Sequence, residues 1–430
     1  MDFEIIGTNE LITSNTGLVL AGKLLKNFGL TLNSKVKTGT ITNSEVLKSY
    51  LGMMTLGKSH FDNIELYRKD LFFKQVMGLK KVPSAATLRQ RVEQYNIGHI
   101  MKLKDENIKL LKGYKELKIT AAIDDFVAID ADVSPFDNSN SKKEGVSFTY
   151  KKFMGYAPIF AYLGKEGYCI NSQLRDGSTH CQKGTTAFLK ETIDFAKQIE
   201  NRRLLLRLDS GNDAIENIAL FHNENVHYIV KRNIRRENKD QWLVEAKNCG
   251  QLKSSTIEKT VYEGFKITTI EDIDSPVKIA YRISDVRMRH GQQLLFPEID
   301  VESYYTSLDY DVERIVNLYH DHATSEQFHS EIKSDLDLER VPSSKFSSNA
   351  CVLMLGTIAY NVLRIIGIEM AQFPNSPLRT KVERRRIRTV IQNIMYMASK
   401  VVSHARKKWI AVPNASPWFL CFNFLKLKFS

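Results

Sequence analysis

The order of predicted strands and helices between residues 119 and 230 limits the possible folds of this chain more than any other feature. Residues 119–133 alternate apolar and polar side chains, as a strand with one buried face does. Two apolar runs, 157–163 and 168–174, surround a glycine-containing turn and predict a hairpin. The remaining predicted elements are a helix over 185–199, a strand over 204–209, a helix over 214–222 and a strand over 227–230.

The resulting order is β-β-β-α-β-α-β, in which hairpins join the first strands and crossover connections join the later ones. A crossover between strands of one sheet makes them parallel neighbours, so the predicted sheet is mixed. This is the order of a ribonuclease-H-like fold. We therefore predict an α/β protein with a ribonuclease-H-like mixed sheet and flanking helices.

The charge balance favours a polyanionic partner. The chain has 61 Lys and Arg against 49 Asp and Glu, which gives a net charge of +12.

Its five cysteines are scattered without a CxxC pair, which argues against a zinc ribbon or a disulfide framework. The most apolar segment, 350–363, is shorter than the ~20 residues of a membrane span, so it predicts a buried helix. No signal peptide is visible, and we expect a cytoplasmic protein without a membrane partner.

Two aspartates lie where predicted strands end. Asp209 ends the strand 204–209 and precedes a Ser-Gly-Asn turn, so it either faces a site or caps the next helix. Asp132 ends the first strand in the same way, with Asp130 as a rival on the same face. Burying several acids on one face is costly unless metal ions or hydrogen bonds satisfy them. We favour Asp132.

The helix predicted from 312 to about 335 has an unusual face. At 100° per residue, a stripe about 60° wide continues an aliphatic lead-in and then becomes polar. The polar members of this stripe are Tyr319, His322, Glu326 and Lys333. Glu331 and Asp321 point elsewhere, which makes them poor candidates for a third acid. Glu326 is the predicted third acid.

The spacing Tyr319-x2-His322-x3-Glu326-x6-Lys333 resembles the Tyr-x2-Arg-x3-Glu-x6-Lys signature of DDE insertion-sequence transposases. The segments 129–132, 206–211, 341–346 and 359–363 are similar to one branch of these enzymes, the IS thirteen-eighty family. The similarity covers nearly the whole chain in order. It implies a transposase that cleaves transposon ends and joins them to target DNA by cut-and-paste transposition.

The resemblance also implies roles for individual residues. Asp132, Asp209 and Glu326 are the expected catalytic and metal-binding triad. Tyr319 and Lys333 are expected to contact DNA near the scissile phosphate. His322 replaces the family arginine, so either a protonated His322 lies beside DNA or a nearby Lys or Arg takes that role.

Three acids without His or Cys ligands suit Mg²⁺, which prefers oxygen ligands. Phosphodiester cleavage and strand transfer use two such ions about 3.5–4 Å apart, so two Mg²⁺ ions are expected, with Mn²⁺ as a substitute. The expected partners are double-stranded DNA, as terminal inverted repeats and target, and a second copy of the chain in a homodimer on paired ends. The resemblance further implies a bacterial protein that is nucleoid-associated when active.

Two basic segments are further DNA-binding candidates. A second helix is predicted over 382–402, and the arginines at its start favour a phosphate-binding edge over a solvated face. These arginines are Arg384, Arg385, Arg386 and Arg388. Helix starts are predicted at the N-cap signal within 41–47 and at Pro83-Ser84, which Arg89 and Arg91 follow. The second of these helices either enters a DNA groove or belongs to a bundle with solvated arginines.

These features divide the chain into five predicted regions. They are a helical N-terminal DNA-binding region (1–115), the first part of the catalytic core (116–235), a β-rich insertion (236–310), the second part of the core with the third acid (311–370) and a basic C-terminal region (371–430). Two alternatives are a nuclease of the same fold that cuts without joining and a domesticated protein that only binds DNA.

Overall fold

The helices of this computed structural model surround one large sheet and fill the N- and C-terminal regions. The structure describes residues 3–28, 41–234, 237–271, 273–289, 291–405 and 407–429, so the predicted boundary between 235 and 236 lies outside it. The described α-helices are α1 (Leu18–Leu24), α2 (Asn43–Met54), α3 (Leu71–Val76), α4 (Ala85–Val92), α5 (Ile97–Gly113), α6 (Thr185–Ile199), α7 (Ile215–Asn223), α8 (Lys239–Cys249), α9 (Val312–His320), α10 (Ser325–Ser330), α11 (Phe346–Gln372), α12 (Ile387–Val390) and α13 (Phe419–Lys428).

Shorter helical turns and the strands complete the described elements. Turns of 3₁₀ helix cover Phe61–Tyr67, Ser210–Asn212 and Asp321–Thr324, and π-helical turns cover Glu331–Asp335 and Ile391–Met395. The strands are β1 (Ile12–Thr13), β2 (Phe126–Val133), β3 (Phe136–Asp137), β4 (Ser147–Phe148), β5 (Met154–Tyr156), β6 (Ile159–Leu163), β7 (Tyr168–Gln173), β8 (Arg203–Leu208), β9 (His227–Lys231), β10 (Gln251–Ser255), β11 (Lys259–Ile270), β12 (Ile273–Arg289), β13 (Gln292–Thr306), β14 (Ser399–His404) and β15 (Lys407–Ala411).

The large sheet has the strand order β10-β11-β12-β13-β9-β8-β2-β6-β7. β2, β8 and β9 are parallel, whereas β6 and β7 follow β2 in antiparallel pairs. When the five strands from β7 to β9 in the sheet are numbered by their order in the chain, their spatial order is 3-2-1-4-5. The first three are antiparallel neighbours, and each of the last two follows a helix. This arrangement confirms the predicted ribonuclease-H-like mixed sheet.

The strands between β9 and α9 extend this sheet instead of forming a second one. β13 pairs with β9 through Tyr304–Lys231, Tyr305–Val230 and Thr306–Ile229. The predicted insertion is β-rich, as expected, but two of its strands are long: β12 has 17 residues and β13 has 15. α8 packs on one face, where its Trp242 is buried.

α11 is the central helix of the larger hydrophobic core. It is apolar around most of its circumference, as a helix surrounded by protein is, and this confirms the predicted buried helix. Its 27 residues are enough in length and composition to cross a membrane, yet all of its most apolar window is buried inside the structure.

The N-terminal helices pack on the same core as α11, with Leu51 of α2 and Leu88 of α4 among the buried residues. The predicted helix starts are present. Thr42 and Glu45 form a capping box on α2, and the Ser84 side chain accepts a hydrogen bond from the Thr87 N–H at the start of α4. The described residues of the 1–115 region are therefore mostly helical and share their core with the rest of the chain.

The prediction of one helix over 382–402 is wrong. The helical part ends with the π-helical turn Ile391–Met395, and β14 follows. β14 pairs with β1 and with β15, so it lies in the middle of a three-stranded sheet. Val401 and Val402 are β-branched residues that favour a strand once partners are available. β1 lies near the other end of the sequence, so a local pattern could not reveal that pairing.

Candidate active site

The register of β2 and β8 places the two predicted aspartates side by side. These parallel strands pair Asp130 with Arg207 and Ala131 with Leu208, so Asp132 and Asp209 occupy the next row at the carboxyl ends. Side chains alternate between the faces of a strand. Ala131 and Leu208 therefore belong to the hydrophobic core, while the rows before and after them share the opposite face.

Asp130 has internal partners for its charge. Its carboxylate accepts hydrogen bonds of 2.6 Å from both Nε and Nη2 of Arg207, and Nδ1 of His322 donates to it at 3.0 Å. Burial raises the pKa of Asp130, but the charges of Arg207 and His322 hold this pKa below its ordinary value. Asp130 is thus an ionised acid whose hydrogen-bonding capacity is used within the protein.

The Asp132–Asp209 row is different. Within the part of the chain that the structure describes, no Lys or Arg forms an ion pair with either carboxylate. Asp132 accepts a hydrogen bond from its neighbour Val133 N–H, and Asp209 accepts one from Asn212 Nδ2, each at 2.7 Å. Burial, the charge of Asp209 and a smaller contribution from Glu326 raise the pKa of Asp132 to about 7. Two adjacent acids without a basic partner have the charge that a cation site requires.

The segment that carries the third acid is not the continuous α-helix predicted. α9 is followed by the 3₁₀ turn Asp321–Thr324, then α10, then the π-helical turn Glu331–Asp335. A 3₁₀ turn advances by about 120° per residue instead of 100°, so four such residues rotate the following helix by about 80°. His322 is consequently buried while Glu326 is exposed, although the sequence placed both in one stripe.

Glu326 lies on the exposed side of α10, close enough for its charge to raise the pKa of Asp132. Among the described residues, no three His, Cys, Asp or Glu side chains are grouped closely enough to hold one metal ion. The strand-end pair and Glu326 nevertheless supply only carboxylate oxygens, which is the donor chemistry that suits Mg²⁺. Glu331 is buried in an ion pair with Arg364 and is unavailable.

The predicted DNA contacts on this segment have different surroundings. Tyr319 is half-buried, with its ring centroid 4.8 Å from that of Tyr304. Lys333 is half-buried above the ring of Phe136, and burial lowers its pKa. His322 is only 7% exposed and is hydrogen-bonded to Asp130, so its ring is not free at the surface; its contact with DNA stays a prediction.

The arginines of the predicted phosphate-binding edge have hydrogen-bond or ion-pair partners within the protein. Arg385 is 6% exposed, and its Nη1 donates to the Thr380 carbonyl at 2.8 Å. Arg386 and Arg388 both pair with Asp335, and Arg384 donates to the Lys165 carbonyl. These contacts give each arginine a partner within the protein, and the sequence could not show most of them because the partners are distant along the chain. Phosphate binding by these arginines stays a prediction.

Arg89 and Arg91 lie on the surface side of α4. Arg89 is exposed, with Nη2 3.6 Å from Asp62 Oδ1, and Arg91 is half-buried, with Nη1 3.1 Å from Asn43 Oδ1. Neither arginine belongs to the core of the helical region. The structure thus leaves them at the surface, far in sequence from the acids.

Two residues beside the acids were missed in the sequence. His329 is buried with Nδ1 3.9 Å from Asp132 Oδ2, and burial together with the charge of Lys333 lowers its pKa to about 3. Its position at about 280° on the predicted helix, next to the polar stripe, was a usable signal. Arg207 was the second, and a charged residue within the apolar run 204–208 is the signal that could have identified it.

An open cleft of about 1050 Å³ lies over the acid pair. Asp132 and Asp209 form part of its wall, and loops that include Tyr150, Lys152 and His180 form much of the remainder. The cleft presents polar groups and is open to solvent. Its size and openness are compatible with an extended substrate.

Comparisons with known proteins identify the family of the chain. The family described as "Transposase DDE domain group 1" matches residues 5–427. No curated protein sequence matches the chain. One similar solved structure is the piggyBac transposase synaptic complex with hairpin DNA, at 12% sequence identity and a TM-score of 0.41, with 89% of this chain and 76% of that chain covered. Members of the DDE transposase family generally use divalent metal ions. The chain belongs to the transposase DDE domain group 1 family and is a DDE-type DNA transposase.

Proposed function

We propose that Asp132, Asp209 and Glu326 are the catalytic acids of a cut-and-paste transposase that cleaves the ends of an insertion sequence and joins them to target DNA. The observation that carries this proposal is the Asp132–Asp209 row, where two carboxylates end adjacent parallel strands without a Lys or Arg ion-pair partner in the described chain. Glu326 is the acid that α10 leaves accessible, since Glu331 is used in an ion pair.

The same three acids would hold the divalent ions, with Mg²⁺ as the expected metal and Mn²⁺ as a substitute. Two bound ions supply charge stabilisation to the attacking and leaving oxygens of a phosphodiester. The fixed strand ends hold Asp132 and Asp209 in place before DNA arrives, so little reorganisation of these two groups is needed. The buried, neutral His329 fills the space beside Asp132 and excludes water from that side.

The DNA contacts are assigned to groups that face the surface. Tyr319 and Lys333 flank the acid pair and would bind the strand near the scissile phosphate. His322 is held by Asp130, so we assign the role of the missing family arginine to Lys231, whose Nζ lies 5.8 Å from the centre of the Tyr319 ring. Arg89 and Arg91 would contact the terminal inverted repeats outside the cleavage site. Two copies of the chain would act as a homodimer on paired ends.

A plasmid that carries both ends of the element tests this function. The unchanged protein should release the element in the presence of Mg²⁺, and Asp132→Asn, Asp209→Asn and Glu326→Gln should each abolish release. Asp309→Asn is the matched control, because Asp309 is a fully exposed acid on a distant loop. Release by Asp132→Asn at the rate of the unchanged protein would refute the assignment of this acid.

Strand transfer separates a transposase from a nuclease that cuts without joining. A duplex with a pre-cleaved end and a target plasmid should give joined products with the unchanged protein. Binding of this duplex without cleavage or joining would instead indicate a protein that only binds DNA.

A further inference from the structure

Arg384, Arg386 and Arg388 contact the helical segment that carries Glu326. Arg384 donates from Nη2 to Gln327 Oε1 at 3.3 Å, next to Glu326 in sequence. Arg386 donates from Nη2 to Ser330 Oγ at 3.0 Å, at the end of α10. These contacts run along the helix of the third acid and join it to a part of the chain more than fifty residues away.

Asp335, at the end of the π-helical turn, is the strongest of these attachment points. Its side chain is fully buried and accepts hydrogen bonds from Arg386 Nε at 2.7 Å and from Arg386 Nη2 at 3.0 Å. Arg388 Nε lies 3.1 Å from the same carboxylate, and the Arg388 N–H donates to it at 3.3 Å. A buried acid with two guanidinium partners fixes the chain on both sides.

The arginine segment is itself fixed on α11. The Arg385 N–H donates to the Gly367 carbonyl at 3.2 Å, and Nη1 of Arg364 donates to the Arg385 carbonyl at 3.4 Å. Arg364 also forms the buried ion pair with Glu331, so α11 binds both the arginine segment and the π-helical turn. The central helix of the core thus fixes both segments that contact the helix of the third acid.

Such support matters because the helical path changes on both sides of α10. It has six residues and lies between a 3₁₀ turn and a π-helical turn, which rotate its side chains relative to those of a continuous α-helix. Its buried Phe328 packs in the core, while Glu326 lies on the exposed side. The direction of the Glu326 side chain therefore depends on contacts made from outside α10.

We propose that Arg386 and Arg388, through Asp335, and Arg384, through Gln327, are positioning residues that hold Glu326 toward the Asp132–Asp209 pair. This proposal rests on the proposed role of Glu326 as the third acid. The competing role is phosphate binding. Arg386 donates from both Nε and Nη2 to Asp335, so its planar fork is not available for a phosphate unless that pair breaks.

Direct Mn²⁺ binding, measured by the electron paramagnetic resonance of free Mn²⁺ on the full chain without DNA, tests the proposal. Arg386→Gln should weaken Mn²⁺ binding by about 10–100-fold, as loss of a group that orients metal ligands does. Arg386→Lys keeps the charge and should bind Mn²⁺ with intermediate affinity. Arg388→Gln removes a half-exposed partner of Asp335 and gives a second variant that should fold normally.

DNA binding as a function of salt separates positioning from phosphate contact. Arg386→Gln should lower the cleavage rate at saturating DNA and leave the salt dependence of DNA binding unchanged, whereas loss of a phosphate contact lowers that slope by about 1. Arg379→Gln is the matched control, because Arg379 is an exposed arginine of the same region that, within the described part of the chain, forms no hydrogen bond or ion pair with the helix of Glu326. It should leave Mn²⁺ binding unchanged.

Mn²⁺ binding by Arg386→Gln and Arg388→Gln with the affinity of the unchanged chain would overturn the proposal, as would a lowered salt slope for Arg386→Gln. These results concern the arginines alone, provided that the unchanged protein cleaves DNA and binds Mn²⁺. An unchanged protein that does neither would refute the proposed function of the acids instead.

Discussion

The two acid rows of the central sheet lie on the same face and only two residues apart, yet their charges are treated in opposite ways. In the first row, Asp130 is buried and is neutralised by Arg207 and His322. In the second, Asp132 lies beside Asp209, and burial together with the charge of Asp209 raises the pKa of Asp132 to about 7. The first row stabilises the fold, and the second is kept in a state that a cation would relieve.

The segment of the third acid repeats this contrast. Glu331 is buried in an ion pair with Arg364, whereas Glu326 is exposed on α10. On the sheet and on the helical segment alike, one acid has a guanidinium partner, and its neighbour has none among the described residues. The absence of a partner, more than the presence of an acid, therefore distinguishes the candidate catalytic groups.

The largest effect is expected at the unpaired row. Asp132→Asn should abolish Mg²⁺-dependent cleavage and, because it removes the repulsion with Asp209, should raise the free energy of unfolding of the metal-free protein by about 1 kcal/mol. Plasmid cleavage and denaturant unfolding measure the two parts. A metal-free protein destabilised by this change would contradict the description of the row as unpaired.

The paired row should respond in the opposite way. Asp130→Asn leaves Arg207 buried without an anionic partner, and breaking a buried ion pair costs about 3–5 kcal/mol. The free energy of unfolding from urea titration should fall by that amount. Ala in place of Asp309, an exposed acid, is the control and should change stability little. An unchanged unfolding midpoint for Asp130→Asn would mean that the first row does not stabilise the fold.

A comparison of Glu331 and Glu326 sharpens the contrast on the third-acid segment. Glu331→Gln should lower the free energy of unfolding by about 3 kcal/mol, because Arg364 then remains buried without its acid. Glu326→Gln should change it by less than about 0.5 kcal/mol, as exposed substitutions usually do. Thermal unfolding of the two variants side by side measures the difference. Equal destabilisation would remove the distinction between them.

The smallest effect concerns a carboxylate far from the cleft. Burial raises the pKa of Glu45, but hydrogen bonds from the N–H groups of Thr42, Lys80 and Lys81 together lower it by more, so the net shift of the pKa is downward. A lowered pKa means that its stabilisation is present above the ordinary value of 4.5 and is lost as the pH falls through the folded-state value. Glu45→Gln should cost about 1 kcal/mol at pH 7 and less near pH 3. Urea titrations at both pH values check this, and an equal cost at both would contradict it.

Local patterns predicted the core of the fold well. The alternation in β2, the apolar run of β8 and the hairpin of β6 and β7 depend on burial of one or both faces, which each segment shows by itself. The helix starts at Thr42 and Ser84 were also predicted, because caps act on the next few residues. The helix predicted over 382–402 failed where β14 meets β1, a pairing between residues nearly 390 apart in sequence.

The sequence by itself determined the family, the order of strands and helices along the core and the positions of Asp132 and Asp209 at the ends of strands, because these are encoded in residue types at fixed local spacing. Only the tertiary structure decided which acids have partners. Arg207 meets Asp130 through the register of two strands, Arg364 meets Glu331 across the core, and Arg386 meets Asp335 from another segment. The physical reason is that the state of a buried charge depends on what lies within a few ångströms of it, and those neighbours are distant along the chain.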